Sequence, residues 1–285
     1  MSYVITGATG HLGRLVVQDL LRRGVPAGDI TATGRDITKV KDLADHGVRV
    51  LAIDYDDPAS LDAAFRGADR ILLISASEPG RRAQQHGNAI DAAARSGAGL
   101  LAYTSIANAG TTTMRLAAEH QATEAALRGS GLSYALLRNS WYVENYTAQI
   151  PAILQRGSLA GSAGDGRVSA ATRADYAAAA AAVLAGDGHE GRAYELGGDE
   201  AFTLAELAAE IGAQAGRPVS YVDLPEDEYA RVLTGAGLPE AAAVTLADAD
   251  RGLARGDLFV DTGHLRQLIG RPTSTLHDAV AAALG

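Results

Sequence analysis

Residues Val4-Ile5-Thr6-Gly7-Ala8-Thr9-Gly10-His11-Leu12-Gly13 decide the fold, because an apolar strand there runs straight into three glycines and then an apolar-periodic stretch. Strand, glycine turn and helix in that order make the dinucleotide site of a doubly wound α/β fold. Gly7 lets the backbone turn out of the strand, Gly10 removes the Cβ that would collide with a pyrophosphate, and Gly13 lets the helix lie close to the sheet. The helix N-terminus then offers free N–H groups and a partial positive charge to the phosphates. Without a ligand the same triplet is a strand-to-helix turn and nothing more.

Outward from this motif, short β-rich runs alternate with amphipathic segments, the pattern of a Rossmann-type parallel sheet with crossover helices. Strands are expected at 3–6, 30–33, 48–53, 70–75, 100–104 and 134–138, and helices at 12–23, 38–46, 60–65, 81–96 and 114–129. Gly24, Gly47, Gly67, Gly97 and Gly131 stand just beyond the helix ends as stop signals. Ligands of such sheets bind at the carboxyl ends of the strands, so the residues after each strand are the ones to question.

After Arg138 the character changes, and a smaller C-terminal α/β domain is expected over 141–285 beside a Rossmann domain over 1–140, with 168–198 returning to the first sheet. Ala163-Gly164-Asp165-Gly166-Arg167 reads as a hairpin turn. Thr172 and Asp175 have capping-box spacing ahead of Tyr176 and the alanine run 177–182, which reads as a tightly packed helix. A strand is expected at 192–196 and another at 219–222, with helices at 203–215, 226–234, 265–269 and 275–284.

The chain has 285 residues, 47% hydrophobic and 21% charged, and 25 Lys+Arg against 34 Asp+Glu leave a net charge of −9. That balance, without a basic run, speaks against nucleic acid as the main partner. The absence of cysteine excludes disulfides, thiolate nucleophiles and cysteine-held metal. His11, His86 and His120 fall in different elements with no i, i+4 partner, so no metal site is expected. No apolar run approaches the ~18 residues of a membrane span, and a cytoplasmic protein is the expectation.

After the second strand comes Thr33-Gly34-Arg35, where an NAD-specific fold places an acidic residue on the ribose hydroxyls. Arginine there suits a 2′-phosphate, with Lys39 adding charge one turn later; alternatively Asp36 binds the ribose of NAD and Arg35 is a solvated loop residue. Asp54 is placed either to meet the adenine edge or to cap the helix ahead of Pro58. Ser75, Ala76 and Ser77 are small residues where ribose and pyrophosphate pass close to the backbone. Ser105 sits where short-chain reductases often carry a catalytic serine, yet the usual Tyr-x-x-x-Lys is missing. Its nearest counterpart is His120-x-x-x-Glu124, either a pair on the helix surface or an acid-base couple in which Glu124 raises the His pKa.

Together with the glycine loop, Leu72 to Ser77, Tyr103-Thr104-Ser105, the stretch Leu137-Arg138-Asn139-Ser140-Trp141-Tyr142-Val143-Glu144-Asn145-Tyr146, Gly164-Asp165-Gly166 and Ala171 to Ala177 resemble the type 2 NAD(P)H:quinone oxidoreductases, atypical short-chain reductases of the NmrA-like group. The resemblance runs over nearly the whole chain and implies NADPH as cofactor. It implies pyrophosphate contacts at Gly7, Ala8, Thr9, Gly10, His11 and Leu12, the 2′-phosphate at Arg35, ribose contacts at Ser75, Ala76 and Ser77, and nicotinamide-side contacts at Asn139, Ser140, Trp141, Tyr142, Val143 and Glu144. Thr33-Gly34-Arg35-Asp36 departs from the family, which has an apolar pair followed by Arg-Asn-Pro.

A quinone accepts hydride at a low barrier and its reduced anion takes a proton from water, so a reductase of small quinones fits the missing acid. Trp141, Tyr142 and Tyr146 are candidates for a flat wall against the quinone, or else for inter-domain packing. The rivals are an NADP(H)-binding redox sensor without turnover and a reductase or isomerase of another conjugated carbonyl. A homodimer is allowed but not required.

Overall fold

The structure is a computed structural model that describes residues 1–76 and 80–285. Its strands are β1 (Tyr3–Ile5), β2 (Ile30–Gly34), β3 (Arg49–Ala52), β4 (Arg70–Leu73), β5 (Leu100–Ile106), β6 (Tyr134–Asn139), β7 (Ser158–Gly161), β8 (Arg192–Leu196) and β9 (Ser220–Asp223). Its helices are α1 (His11–Arg22), α2 (Lys41–Asp45), α3 (Pro58–Phe65), α4 (Arg82–Ser96), α5 (Arg115–Gly129), α6 (Glu144–Thr147), α7 (Ile150–Arg156), α8 (Arg173–Ala185), α9 (Leu204–Ala215), α10 (Glu226–Gly235), α11 (Glu240–Ala254), α12 (His264–Ile269) and α13 (Leu276–Leu284).

Among the described residues one sheet holds seven strands in the order β3-β2-β1-β4-β5-β6-β8, all pairs parallel. This is the doubly wound sheet expected from the sequence, and β8 is the returning strand. Apolar side chains fill both faces, which is why β4 and β5 are buried at every position. On one face α1 and α8 pack through Val16, Val17, Leu20 and the alanine run of α8; on the other, Phe65, Ile90, Tyr103 and Leu127 join α3, α4 and α5 to the sheet. Alanine on α8 lets two helices approach with almost no side-chain entropy lost. Thr172 caps α8 through the Asp175 N–H, as the spacing predicts.

Between β6 and α8, and again after β8, the chain builds a second core around Val143, Ile153, Val168, Phe202, Leu207 and Leu253. Here sequence and structure part. Residues 163–167 form a tight turn, Gly166 N–H to Ala163 O at 3.0 Å, but no hairpin, because β7 pairs in parallel with β9 and the connection is a long crossover. The turn is fixed from outside: a Cβ on Gly166 would stand 2.6 Å from Leu253 O. Helices α7 and α11 and strand β7 were not expected from the sequence. Among the described residues no helix is long and apolar enough to cross a membrane.

Candidate functional site

A cleft of about 590 Å³ runs along the carboxyl ends of β1, β2, β3 and β4. Gly7, Thr9, Gly10, His11 and Leu12 line its centre, Arg35, Lys39 and Asp54 one end, Ser75, Ala76 and Tyr142 the other. The central loop is built by glycine. Gly7 turns at φ 61°, and a Cβ on Gly13 would lie 2.5 Å from Gly7 O and 2.7 Å from Ala8 Cα, so α1 rests on its own loop. The N-cap of α1 is Gly10, whose side makes no capping bond, leaving the helix N-terminus open to the cleft. Ala8 is different: it is wholly buried and its N–H donates to Thr33 O at 2.8 Å, so it belongs to the sheet rather than to the ligand face.

At the end of the cleft beyond β2, Arg35 and Lys39 are exposed and both line it. The Asp36 carboxylate turns back onto Thr38, accepting its N–H at 3.2 Å and its hydroxyl at 2.5 Å, and stands 4.0 Å from Lys39 Nζ. The Thr38 hydroxyl bond holds Asp36 below the usual carboxylate range, and a carboxylate so engaged is a poor ribose partner. Asp54 accepts the Asp56 N–H at 2.9 Å at the cleft edge, whereas the cap of α3 is Asp57, so the capping alternative for Asp54 falls away. Ser77 lies outside the described residues.

The stretch after β6 divides in two. Tyr142 lines the cleft; its ring packs edge-on against Tyr176 at 5.4 Å, and the Arg173 guanidinium lies 4.7 Å above it. The other residues of 139–146 do not line the cleft. Ser140 is buried and donates its hydroxyl to Leu258 O at 2.7 Å, Val143 and Tyr146 are buried in the second core, and Trp141 packs against that core. Tyr146 meets Phe202 edge-on at 6.5 Å, so of the three aromatics it takes the packing alternative. Glu144 caps α8 by accepting the Arg173 N–H at 2.8 Å. Asn139 is buried at the end of β6, its Oδ1 without a hydrogen-bond partner among the described residues and its Nδ2 3.4 Å from the Tyr142 hydroxyl.

Sequence reasoning missed Tyr55, Arg81, Gln85 and Arg173, all on the cleft wall. For Arg173 a signal existed: the Thr172 cap makes it the first residue of α8, at the carboxyl end of the sheet.

His120 and Glu124 are a correction. Both are buried, at 5% and 2% exposure, and they do not pair. His120 Nδ1 shares a hydrogen bond with the Tyr103 hydroxyl at 2.8 Å, while Glu124 accepts from the Ser105 hydroxyl at 2.7 Å and from Arg138 at 2.6 Å. Burial, then the charge of Arg82, pushes His120 down to about 3, the opposite of the rise a Glu124 partner would give. Burial alone would raise Glu124, but the bonds from Arg138 and Ser105 hold it below its ordinary value. Ser105, His120 and Glu124 stay inside the core, and none of them lines the cleft.

Residues 7–187 match the model of an NAD(P)H-binding family. Quinone oxidoreductase 2 of Escherichia coli is 50% identical over 97% of this chain and 96% of its own length. The chain belongs to the quinone oxidoreductase 2 family of NAD(P)H-binding proteins. Its fold superposes with a TM-score of 0.96 on the crystal structure of the NADPH-dependent quinone oxidoreductase of E. coli complexed with NADPH, at 48% identity over 99% of this chain and 100% of that one. The triphenylmethane reductase of Citrobacter sp. complexed with NADP(H) is 36% identical over 99% of this chain and 100% of its own, with a TM-score of 0.93.

Proposed function

We propose that this family member is an NADPH-dependent quinone oxidoreductase. What carries the reading is a glycine-built cleft with Arg35 and Lys39 at one end in a chain half identical, over nearly its whole length, to a quinone oxidoreductase. That identity to an enzyme supports turnover over the sensor alternative.

The residues present fit the cofactor. Gly7 and Gly10 carry no Cβ where the phosphates would approach the loop, and the two cations stand where a 2′-phosphate would add negative charge. In this reading Gly7 and Thr9 to Leu12 hold the pyrophosphate, Arg35 and Lys39 the 2′-phosphate, Asp54 the adenine edge, and Ser75 and Ala76 the ribose. Once bound, NADPH supplies the hydride. Tyr142, held by Tyr176 and Arg173, gives a rigid flat face beside the far end of the cleft, which restricts how a planar acceptor can lie.

The proton of the reduced acceptor comes from water in this reading. His120 is neutral at working pH, Glu124 is already ionised, and the Ser105 hydroxyl proton is committed to Glu124. The parts outside the main sheet, within 141–285 and excluding the returning 168–198, form the side of the molecule that closes over the acceptor. A cytoplasmic location belongs to the same proposal, as does the homodimer, which light scattering checks.

The deciding experiment adds simple benzoquinones and naphthoquinones to protein plus NADPH and follows the reduced-nicotinamide absorbance. Quinone-dependent loss is the expected result. No turnover, together with affinities that differ between NADP and NADPH, would establish the sensor instead.

A further inference from the structure

Three successive main-chain N–H groups at the end of β4 are held by side chains rather than by a neighbouring strand. Ile74 N–H donates to Thr6 Oγ1, Ser75 N–H to Thr104 Oγ1 and Ala76 N–H to His86 Nε2, each at 2.9 Å. Arg82 Nε donates to Ala76 O at 2.7 Å. Ile74, Ser75 and Ala76 line the cleft, and the three acceptors come from the residue after β1, from β5 and from α4. Buried backbone donors need partners, and here the choice of partner fixes where the cleft wall stands.

His86 is the least replaceable of the three. Its Nε2 accepts an amide N–H and so carries no proton. Its Nδ1 lies 2.9 Å from Thr123 Oγ1, whose own proton goes to Glu119 O at 2.9 Å, so Nδ1 must be the donor. One neutral tautomer satisfies every partner. The ring is wholly buried and wedged edge-on between Tyr55 and Tyr103, at 6.3 and 5.3 Å between centroids. Burial, and after it the Arg82 charge, pushes its pKa down to about 3, so the acceptor stays bare through the neutral range.

The strand order says which part of a ligand this wall serves. Arg35 follows β2, the glycine loop follows β1, and Ile74 to Ala76 follow β4, on the side of the loop away from Arg35. With the 2′-phosphate at Arg35 and the pyrophosphate on the loop, the nicotinamide half lies along Ile74 to Ala76. We infer that His86 is a positioning residue, whose bond to the Ala76 N–H sets the wall against which the nicotinamide half of the cofactor is held. The inference rests on the NADPH reading above.

The test compares NADPH with adenosine 2′,5′-bisphosphate, which has the phosphorylated adenosine end and no nicotinamide, by titration calorimetry on the full chain. His86→Phe keeps a ring between Tyr55 and Tyr103 but offers no acceptor. It should weaken NADPH about tenfold, the scale of one buried hydrogen bond, and leave the bisphosphate unchanged. His86→Gln, whose carboxamide oxygen can take the Ala76 N–H, should recover most of the loss. Where His86→Phe does not fold, Thr123→Val removes the partner that fixes the tautomer and should show the same split at smaller size. Equal losses for both ligands, or none, would return His86 to simple packing. A wild type that binds neither ligand overturns the cofactor reading itself, which no result on the variants alone can do.

Discussion

Gly13→Ala tests the central loop most directly. The added Cβ would stand 2.5 Å from Gly7 O, 2.7 Å from Ala8 Cα and 2.8 Å from Ala8 N. Comfortable contacts begin near 3.5 Å, so loop and helix must separate by roughly 1 Å. Withdrawal is resisted from behind, because Val16, Val17 and Leu20 of α1 are fully buried against the alanine helix α8. Overpacking of this kind costs about 1 to 3 kcal/mol, which in a chain of this size lowers Tm by roughly 2 to 4 °C per kcal/mol. The larger effect is on function, since a misplacement of about 1 Å can cost on the order of a hundredfold. Quinone turnover with NADPH should therefore fall by about that factor, and NADPH affinity by fluorescence titration should fall with it, while the protein remains folded. Gly87→Ala is the control. Nothing lies within 4 Å of its added Cβ, and in the interior of α4 alanine should stabilise by about 0.5 to 1 kcal/mol. A Gly13→Ala protein that binds NADPH like the wild type would refute the argument that close packing of α1 on its loop shapes the site.

Arg35→Ala should weaken NADPH about ten- to a hundredfold and NADH hardly at all, with Arg35→Ala, Lys39→Ala losing more; equal losses for the two cofactors in binding assays would mean that Arg35 does not read the 2′-phosphate. Glu124→Gln keeps the shape but leaves Arg138 short of charge in a largely buried network, so thermal stability should drop while quinone turnover per folded molecule stays within about tenfold; a greater loss in a folded protein would make Glu124 part of the chemistry. Burial pushes the Asp250 carboxyl well above the usual carboxylate range, up to about 7, so the folded state keeps a proton that the unfolded chain has released. Stability from this group is complete below the unfolded value and is lost as pH climbs through about 7. Urea midpoints at pH 5 and pH 8 should differ in the wild type and converge in Asp250→Asn; an unchanged difference would clear Asp250 of the effect.

The main sheet was legible because a parallel strand buried on both faces must be apolar almost throughout, as Ile71, Leu72 and Leu73 are. The glycine loop was legible for a related reason: backbone sterics leave few residues that serve at φ 61° or at a 2.5 Å approach. What escaped was non-local. Strand β7 has four residues and finds its partner, β9, about sixty residues later, so nothing near it announced a strand. Gly164-Asp165-Gly166 makes the turn its glycines predict but not the hairpin, because local turn chemistry does not say whether the strands around it pair with each other. Helix α11 begins behind Pro239 without a side-chain cap and mixes alanine with polar residues, which leaves a faint periodicity.

The side chains of the site were harder, and two misreadings share one cause. An i, i+4 spacing says that His120 and Glu124 lie on one face of α5; it does not say whether that face meets water or the sheet. On a surface they would have had each other. Against the sheet each finds a better partner on β5, Tyr103 for His120 and Ser105 for Glu124, because strand residues two apart project to the same face. The aromatic stretch follows the same logic with the other period. Tyr142 bridges in parallel to Ala171, so the backbone is extended there, and alternate side chains must face opposite ways. Trp141 and Val143 turn into the second core, while Tyr142 turns to the first core and the cleft. A period of two was visible in Trp141-Tyr142-Val143. The extended backbone sends only the middle residue to the cleft, so Tyr142→Ala should raise the KM for quinone or lower kcat while NADPH affinity stays within a few-fold, and unchanged quinone kinetics would return Tyr142 to packing.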